Sequence, residues 1–142
     1  MTISARNVFN GTVTAIKDGP INAEIEITTA GGDKIVATLT EASVQSLGLS
    51  AGAPAVAVVK TPWVTLLSGT PAYRFSARNQ LKGTVSALTQ GGVNTQVQVT
   101  LPGGGTVTAM VTNDAAAELG LAKGSAVTAL FKASHVLVGV PA

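Results

Sequence analysis

Short stretches in which apolar and polar residues alternate run along this chain. Between residues 23 and 28, apolar Ala23, Ile25 and Ile27 alternate with polar residues, and residues 35–39 repeat the pattern after a Gly-Gly pair. Because successive side chains of a strand point to opposite faces, a period of two predicts strands with one buried and one solvated face. The pattern therefore predicts an all-β chain with little helix.

The chain contains an internal repeat. Ser4-Ala5-Arg6-Asn7 recurs as Ser76-Ala77-Arg78-Asn79, and the offset of 72 then holds without a gap. Of the 62 position pairs between 3–64 and 75–136, 22 are identical. The retained segments include Gly-Thr-Val at 11 and 83, Gly-Gly at 31 and 103, Leu-Gly-Leu at 47 and 119, and lysine at 60 and 132. A repeat at one fixed offset indicates a tandem duplication.

The duplication predicts two small domains, at 1–67 and 73–142, joined by a connector rich in Gly and Pro. A unit of about 65 residues buries only about 60% of its unfolded surface and is marginal alone. We therefore expect the two copies to share an interface, and further association is consistent with the same deficit.

Each copy has one helical window, at residues 41–47 and 113–119. Thr40 and Thr112 are the predicted N-caps, and Gly48 and Gly120 the predicted stops.

An apolar strand ending at Lys60 or Lys132 follows the helix, and a last strand is predicted through Val64 or Val136. With a glycine-led bend in a long first strand, the fold expected is two tandem OB-like five-stranded small barrels, each with one short helix. An all-β sandwich is the alternative.

Composition restricts the function. The 142 residues are 46% hydrophobic and 11% charged, which excludes a disordered chain. With no cysteine and one histidine, His135, disulfides and thiolate metal sites are excluded, and a Ser-His-Asp triad is poorly supplied. We expect no enzyme activity and no metal bound by direct cation ligands.

Location is predicted from two features. The apolar runs are strand-length, well below the roughly 20 residues of a membrane helix. The first residues lack a basic, apolar signal sequence, so the expected compartment is the cytoplasm, without membrane association.

The polar residues retained in both copies suggest an anion site. In an extended strand Ser4 and Arg6 would share a face, and Arg6 and Lys60, with their counterparts, are the only charges kept in both copies. A solvated edge strand, an edge-protecting lysine and simple helix capping are the alternative roles. A set of serine, arginine, threonine and lysine offers only donors and positive charge, which suits a fully ionised oxyanion such as sulfate, molybdate or tungstate.

These residues closely resemble the Mop domain. The ordered signatures, Ser-Ala-Arg-Asn, Gly-Thr-Val, Gly-Gly, Leu-Gly-Leu and the late lysine, occur twice in register, so the chain is similar to a two-domain molbindin. The resemblance implies a homotrimer that holds molybdate or tungstate at interfaces between Mop units, for intracellular molybdenum storage and homeostasis. It implies no catalysis and no cofactor.

The resemblance also implies particular binding residues. The first set is Ser4, Ala5 and Arg6, with Thr40, Lys60 and Thr61 from a neighbouring unit. The second copy supplies Ser76, Ala77, Arg78, Thr112, Lys132, Ala133 and Ser134. A second class of oxyanion site, near the three-fold axis, would use Ile21 and Asn22, or Val93 and Asn94.

The copies depart from the family pattern after the lysine. Pro62 removes one N–H donor and Ala133 offers only its backbone, so the two sites are expected to differ in affinity. Trp63 and His135 occupy equivalent positions and are interpreted as packing or interface residues.

Two other functions compete with this one. An OB-fold nucleic-acid-binding module relies on aromatic platforms along a basic groove, whereas this chain has five aromatic residues and a formal charge of +2. A molybdate-responsive regulator needs a helix-turn-helix segment, and the two repeats leave no room for one. No nucleic-acid partner is therefore expected.

Overall fold

Ten strands form two antiparallel sheets in the computed structural model, which describes residues 2–142. The first copy contains β1 (Asn7–Asp18), β2 (Asn22–Thr29), β3 (Lys34–Thr40), α1 (Glu41–Leu47), β4 (Pro54–Val59), a 3-10 turn (Thr61–Trp63) and β5 (Thr65–Ser68). The second contains β6 (Asn79–Gln90), β7 (Asn94–Thr100), β8 (Thr106–Thr112), α2 (Asn113–Glu118), β9 (Ala126–Phe131), a 3-10 turn (Ala133–His135) and β10 (Leu137–Gly139). The prediction of an all-β chain with five strands and one short helix per copy is confirmed.

The core is continuous across both copies. The residues at the predicted inward positions are shielded from solvent and belong to one cluster: Ala23, Ile25, Ile27, Ile35 and Ala37 from the first copy, and Val97, Val99, Val107 and Ala109 from the second. Full burial of each large aliphatic side chain stabilises the fold by about 1.5–3 kcal/mol. The shared interface expected from the small size of each unit is thus part of the core.

The last strand of each copy belongs to the sheet of the other. The sheets have the orders β10-β4-β1-β2-β3 and β5-β9-β6-β7-β8. Thr65 of β5 lies opposite Leu130 of β9, and Leu137 of β10 lies opposite Val58 of β4. The domain boundaries 1–67 and 73–142 stay a prediction. Each hydrogen-bonded sheet contains strands from both sides of these boundaries.

Two buried asparagines join the copies near this exchange. The amide of Asn7 donates to the carbonyl of Thr108 at 2.8 Å and accepts from its N–H at 2.6 Å. Asn79 makes the same two bonds with Val36, both at 2.8 Å. Because Asn79 and Val36 correspond by repeat to Asn7 and Thr108, the two copies are related by a local two-fold pseudosymmetry.

The two Gly-Gly turns meet on the same pseudosymmetry element. A Cβ on Gly31 would collide with the carbonyl oxygen of Gly103, which explains why glycine stands there. The Asp33 carboxylate accepts from the N–H groups of Gly103 at 3.0 Å and Gly105 at 3.3 Å. Gly105 occupies the position equivalent to Asp33, so this bond exists in one direction only.

Some local expectations need correction. The irregularity in β1 lies between Val13 and Ala15, beyond Gly11, whose absent Cβ instead lets the Thr28 carbonyl approach. The final strands begin one residue later than predicted, because a 3-10 turn precedes each one and buries Val64 or Val136 at its end. The sequence offered no periodic signal for a three-residue turn.

The asparagine bonds predict a stability difference. Asn7→Ala leaves both backbone groups of Thr108 buried without a partner, and each such group costs about 1–3 kcal/mol. We expect a loss of about 2–4 kcal/mol in the free energy of unfolding, measured by urea denaturation. Asn79→Ala should cost less, since Val36 is only partly buried. Asn10→Ala, on the exposed side of β1, should cost under about 0.5 kcal/mol; an equal loss there would contradict the assignment.

Strand exchange predicts the behaviour of an isolated first copy. A fragment of residues 1–68 lacks the strand that pairs with β4 and the strand that accepts β5. Two fragments can restore both pairings by exchanging β5, since β10 already uses the matching register. Size-exclusion chromatography with light scattering should therefore show assemblies of even copy number, whereas a folded monomer would refute the prediction.

Candidate functional site

The Ser-Ala-Arg segments lie just before the first strand of each copy. β1 begins at Asn7 and β6 at Asn79, so Ser4 and Arg6 are outside the strand, and the expectation that they project together from an extended strand is wrong. Both segments keep serine and arginine exposed and the central alanine partly buried. The first residue of each strand is thus the buried asparagine whose amide bonds the other copy.

Each copy's lysine emerges beside its own arginine. The β1–β4 ladder ends with Asn7 opposite Val59, and the β6–β9 ladder ends with Asn79 opposite Phe131. Arg6 and Lys60 are the next residues on the paired strands of the first copy, and both are exposed. The backbones of the lysine and the arginine thus lie side by side at the end of each sheet. In the second copy their side chains diverge, because Lys132 lines one cleft with Ser76 whereas Arg78 lines another with Asp33.

The 3-10 turns follow directly after the lysines and differ between the copies. In the first, the N–H of Trp63 donates to the Lys60 carbonyl at 3.1 Å, and in the second the N–H of His135 donates to the Lys132 carbonyl at 3.0 Å. Pro62 has no N–H, whereas Ser134 at the same position has both an N–H and a hydroxyl. Thr61 is partly exposed, and Ala133 is buried. The second copy therefore offers more donors around its lysine.

One cleft collects several of the predicted residues of the second copy. It has a volume of about 390 Å³, and Ser76, Ala77 and Lys132 line it together with Phe75 and Trp63. Its first-copy residues come from the 3-10 turn and β5, so the exchanged strand forms one wall. The cleft thus holds a serine hydroxyl, a backbone segment and an ammonium group beside apolar and aromatic surface.

Trp63 and His135 stack on one another across the copies. Their ring centroids are 4.4 Å apart with an interplanar angle of 29°. Such a contact contributes roughly 0.5–1.5 kcal/mol beyond the burial of its area. Their interpretation as interface residues is confirmed, and both also line the cleft.

Arg78 is engaged by a carboxylate of the other copy. Its Nε donates to Glu24 Oε2 at 3.1 Å, and its Nη2 pairs with Glu24 Oε1. The hydrogen bond from Arg78 lowers the pKa of Glu24 below its ordinary value, against a smaller opposing effect of burial, and raises the pKa of Arg78. Glu24 therefore stays ionised at neutral pH. Among the ion pairs within residues 2–142, Arg6 takes no part.

Thr40 and Thr112 serve as helix caps. Thr40 Oγ1 accepts from the Ser43 N–H at 3.1 Å, and Thr112 Oγ1 accepts from the Ala115 N–H at 3.0 Å, as predicted. Thr40 lies at the end of β3 that pairs with the start of β2, away from the Ser-Ala-Arg segment of its own copy. It shares a face with Thr38, which lies opposite Glu24. Thr40 is thus nearer to the arginine of the other copy than to its own.

The second predicted sites lie on loops at this same end. Ile21 and Val93 occupy equivalent positions and are 74% and 73% exposed, and Asn22 and Asn94 are exposed beside them. The N–H of Gly91 donates to the Asn94 carbonyl at 2.8 Å, which closes a tight turn.

These two loops have different neighbours. Asn113 accepts from Thr95 at 2.6 Å and donates to the Gly91 carbonyl at 3.0 Å. The first copy carries Glu41 at the equivalent position, with one buried carboxylate oxygen that lacks a hydrogen-bond partner. The loop of the first copy is therefore the less favourable one for an anion.

Sequence reasoning missed two features of the site. The role of the motif's asparagine is to bond the other copy, and the partner of Arg78 is a glutamate 54 positions away. The retention of Asn7 and Asn79 in two polar contexts was the available signal for the first. The second had no signal, because an exposed glutamate on a strand also fits a solvated face.

Other binding chemistry finds few residues. The part of the chain that the structure describes contains no group of three His, Asp or Glu side chains suited to a metal ion. Within residues 2–142 no helix has the length and hydropathy needed to span a bilayer.

A family model described as the TOBE domain matches residues 3–66 and 76–138. The chain belongs to the TOBE-domain family. This match confirms the repeat and the resemblance to a tandem pair of small domains, and the matched residues include every predicted site residue.

Curated relatives of this TOBE-domain chain carry molybdenum-related names. It is 44% identical over 140 residues to the molybdenum transport protein ModE of Herbaspirillum seropedicae, a match covering 99% of this chain and 52% of that protein. It is 41% identical over 141 residues to the molybdenum-pterin-binding protein MopA of Rhodobacter capsulatus, covering 99% and 53%. The chain thus spans about half the length of these relatives.

A solved structure matches the TOBE-domain pair along its whole length. It is the cytoplasmic molybdate-binding protein ModG with molybdate bound, with a TM-score of 0.94 and 53% identity, covering 99% of this chain and all of that one. At this TM-score and coverage the likeness extends to the arrangement of both copies.

Proposed function

We propose that this protein binds molybdate or tungstate at sites formed by the Ser-Ala-Arg segments and the lysines, for intracellular storage and homeostasis of molybdenum. The observation that carries the proposal is the cleft where Ser76, Ala77 and Lys132 meet. It is supported by the full-length likeness to a protein solved with molybdate bound. The cytoplasm is the proposed location, as for that protein.

The chemistry of this residue set favours a fully ionised anion. The cleft supplies a serine hydroxyl, backbone N–H groups and the Lys132 ammonium as donors, and no carboxylate lines it. The guanidinium of Arg78 lies outside it, beside Glu24, and would have to turn towards the oxyanion. A phosphate that retains a proton at neutral pH would need an acceptor. Molybdate and tungstate carry no proton there and can accept from every side.

The proposed first sites use equivalent residues in both copies. They are Ser4, Ala5, Arg6, Thr40, Lys60 and Thr61, and Ser76, Ala77, Arg78, Thr112, Lys132, Ala133 and Ser134. The proposed second class uses the exposed loops with Ile21, Asn22, Val93 and Asn94.

The proposed assembly is a homotrimer. The clefts and loops are open, and large apolar side chains remain on the surface of the single chain: Ile3, Ile21, Tyr73, Phe75, Val93 and Leu137. Contacts between neighbouring chains of the trimer would cover such groups and would add residues of a second chain to each anion site.

Neither catalysis nor nucleic-acid binding belongs to the proposal. The guanidinium of Arg78 is paired with Glu24. The chain has a formal charge of only +2, so its exposed aromatic residues have no strongly basic surroundings of the kind that nucleic-acid-binding grooves provide.

Anion titration tests the proposed function. Isothermal titration calorimetry with sodium molybdate, tungstate, sulfate and phosphate should give dissociation constants in the micromolar range for the first two, and at least about tenfold weaker binding for phosphate. Arg6→Ala combined with Arg78→Ala should weaken molybdate binding by about tenfold or more, since each charge-assisted hydrogen bond contributes about 1.5–3 kcal/mol.

Matched lysine variants control for net charge. Lys132→Ala removes a cation from the cleft, and Lys123→Ala removes one from an exposed loop outside it. Only the first should weaken binding. Equal effects of both variants, or no molybdate binding by the unaltered protein, would contradict the proposal.

The assembly has its own test. Sedimentation equilibrium should give three times the 14.1 kDa mass of the chain. Replacing exposed Ile21 and Val93 by glutamate should shift the protein towards monomer, because burying an unpaired carboxylate in an apolar contact is unfavourable. A monomer for the unaltered protein would refute the trimer.

A further inference from the structure

The two arginines of the repeat have different environments on the opposite copy. Arg78 pairs with Glu24, which lies on the polar face of β2. By repeat, Glu24 corresponds to Gln96 on β7 and Arg78 corresponds to Arg6. One arginine is therefore held by a carboxylate, while the pseudosymmetric position opposite the other carries a neutral amide.

The backbone beside the two arginines is held by equivalent hydrogen bonds. Asn79, next to Arg78, bonds Val36 of β3, and Asn7, next to Arg6, bonds the equivalent Thr108 of β8. Glu24 lies opposite Thr38 in its sheet, and Gln96 lies opposite the equivalent Met110. The equivalent strand positions thus carry a carboxylate on the copy that Arg78 contacts and an amide on the copy to which the chain beside Arg6 is bonded.

We propose that Glu24 sets the affinity of the second-copy anion site by competing with the oxyanion for the guanidinium of Arg78. This inference rests on the proposed function and adds a residue that the donor set does not contain. Glu24 thus weakens the site built on Arg78 through an interaction that the site built on Arg6 lacks.

The competition follows from the donors that Glu24 occupies. It takes the Nε and Nη2 edge of the guanidinium, which is the edge best shaped for two parallel bonds to an oxyanion. An incoming dianion must displace the carboxylate or accept the remaining donors while close to another negative charge. Both routes weaken binding, and neither applies at Arg6.

Lys17 is a second cation close to the carboxylate of Glu24. Lys17 lies directly opposite Glu24 in the β1–β2 ladder, so Glu24 keeps a cross-strand partner when Arg78 turns to the anion. The equivalent of Lys17 in the second copy is Thr89, beside neutral Gln96.

Glu24→Gln converts the first copy to the residue found in the second. Molybdate titration calorimetry on the full chain, with Arg6→Ala present to report the Arg78 site, should show binding about two- to fivefold tighter with Glu24→Gln than without it. That range corresponds to the strength of an exposed ion pair. The reciprocal Gln96→Glu, with Arg78→Ala present, should weaken the Arg6 site by a similar factor.

Glu26→Gln is the matched control. Glu26 lies two residues further along the same face of β2, accepts from Thr14 at 2.7 Å and lies 3.9 Å from the ammonium of Lys34. This variant changes the net charge by the same amount without touching Arg78. It should change the affinity of the Arg78 site by much less than Glu24→Gln does.

The outcomes separate this inference from the proposed function. If the unaltered protein binds molybdate and Glu24→Gln leaves the Arg78 site unchanged or weaker, Glu24 is a structural link between the copies and the competition is refuted. Equal gains from Glu24→Gln and Glu26→Gln would reduce the effect to net charge and also refute it. If the unaltered protein binds no molybdate, the proposed function itself fails.

Discussion

Each sheet of this molecule is completed by a strand from the other copy, and the remaining architecture depends on that pairing. A five-stranded unit of this size has a small core and is marginal alone, and an unpaired edge at β4 or β9 would expose a row of backbone donors and acceptors. Exchange of β5 and β10 pairs both edges and merges the two cores. The connection from each lysine to its exchanged strand must therefore run across the boundary between the copies, so residues of both copies line the cleft around Lys132.

The two buried asparagines fix the backbone of one copy against the other at the positions next to the arginines. An amide that both donates to and accepts from one backbone residue fixes position and orientation together, and Asn7 and Asn79 do so under almost complete burial. Each arginine is the residue before such a clamp. Ordering the backbone in advance reduces the conformational entropy lost on binding a ligand, which suits a site made of a few donors to a small anion.

Sequence reasoning succeeded where local patterns determine structure. The period of two located β2, β3 and their counterparts, and threonine followed by a helical window located both caps. It failed where the partner is distant. An ordinary strand pattern at β5 carries no information on which sheet accepts it, the Ser-Ala-Arg segment has no periodicity that marks the strand start at Asn7, and Glu24 looks like any solvated glutamate. The candidate residues came from comparing the two copies, because the comparison separates retained side chains from drifting ones.

The same comparison shows that the two copies carry different residues at several polar positions. By repeat, Glu24 corresponds to Gln96, Asp33 to Gly105, Glu41 to Asn113 and Pro62 to Ser134, while most apolar core positions hold apolar residues in both copies. Each difference changes a charge or a donor near a strand end or loop, and none requires the shared frame to change. Two anion sites that differ in affinity respond over a wider range of free anion concentration than two identical sites, because each is half filled at its own dissociation constant. Under the proposed function, a duplicated fold with divergent polar residues would supply that range without altering the packing that both sites depend on.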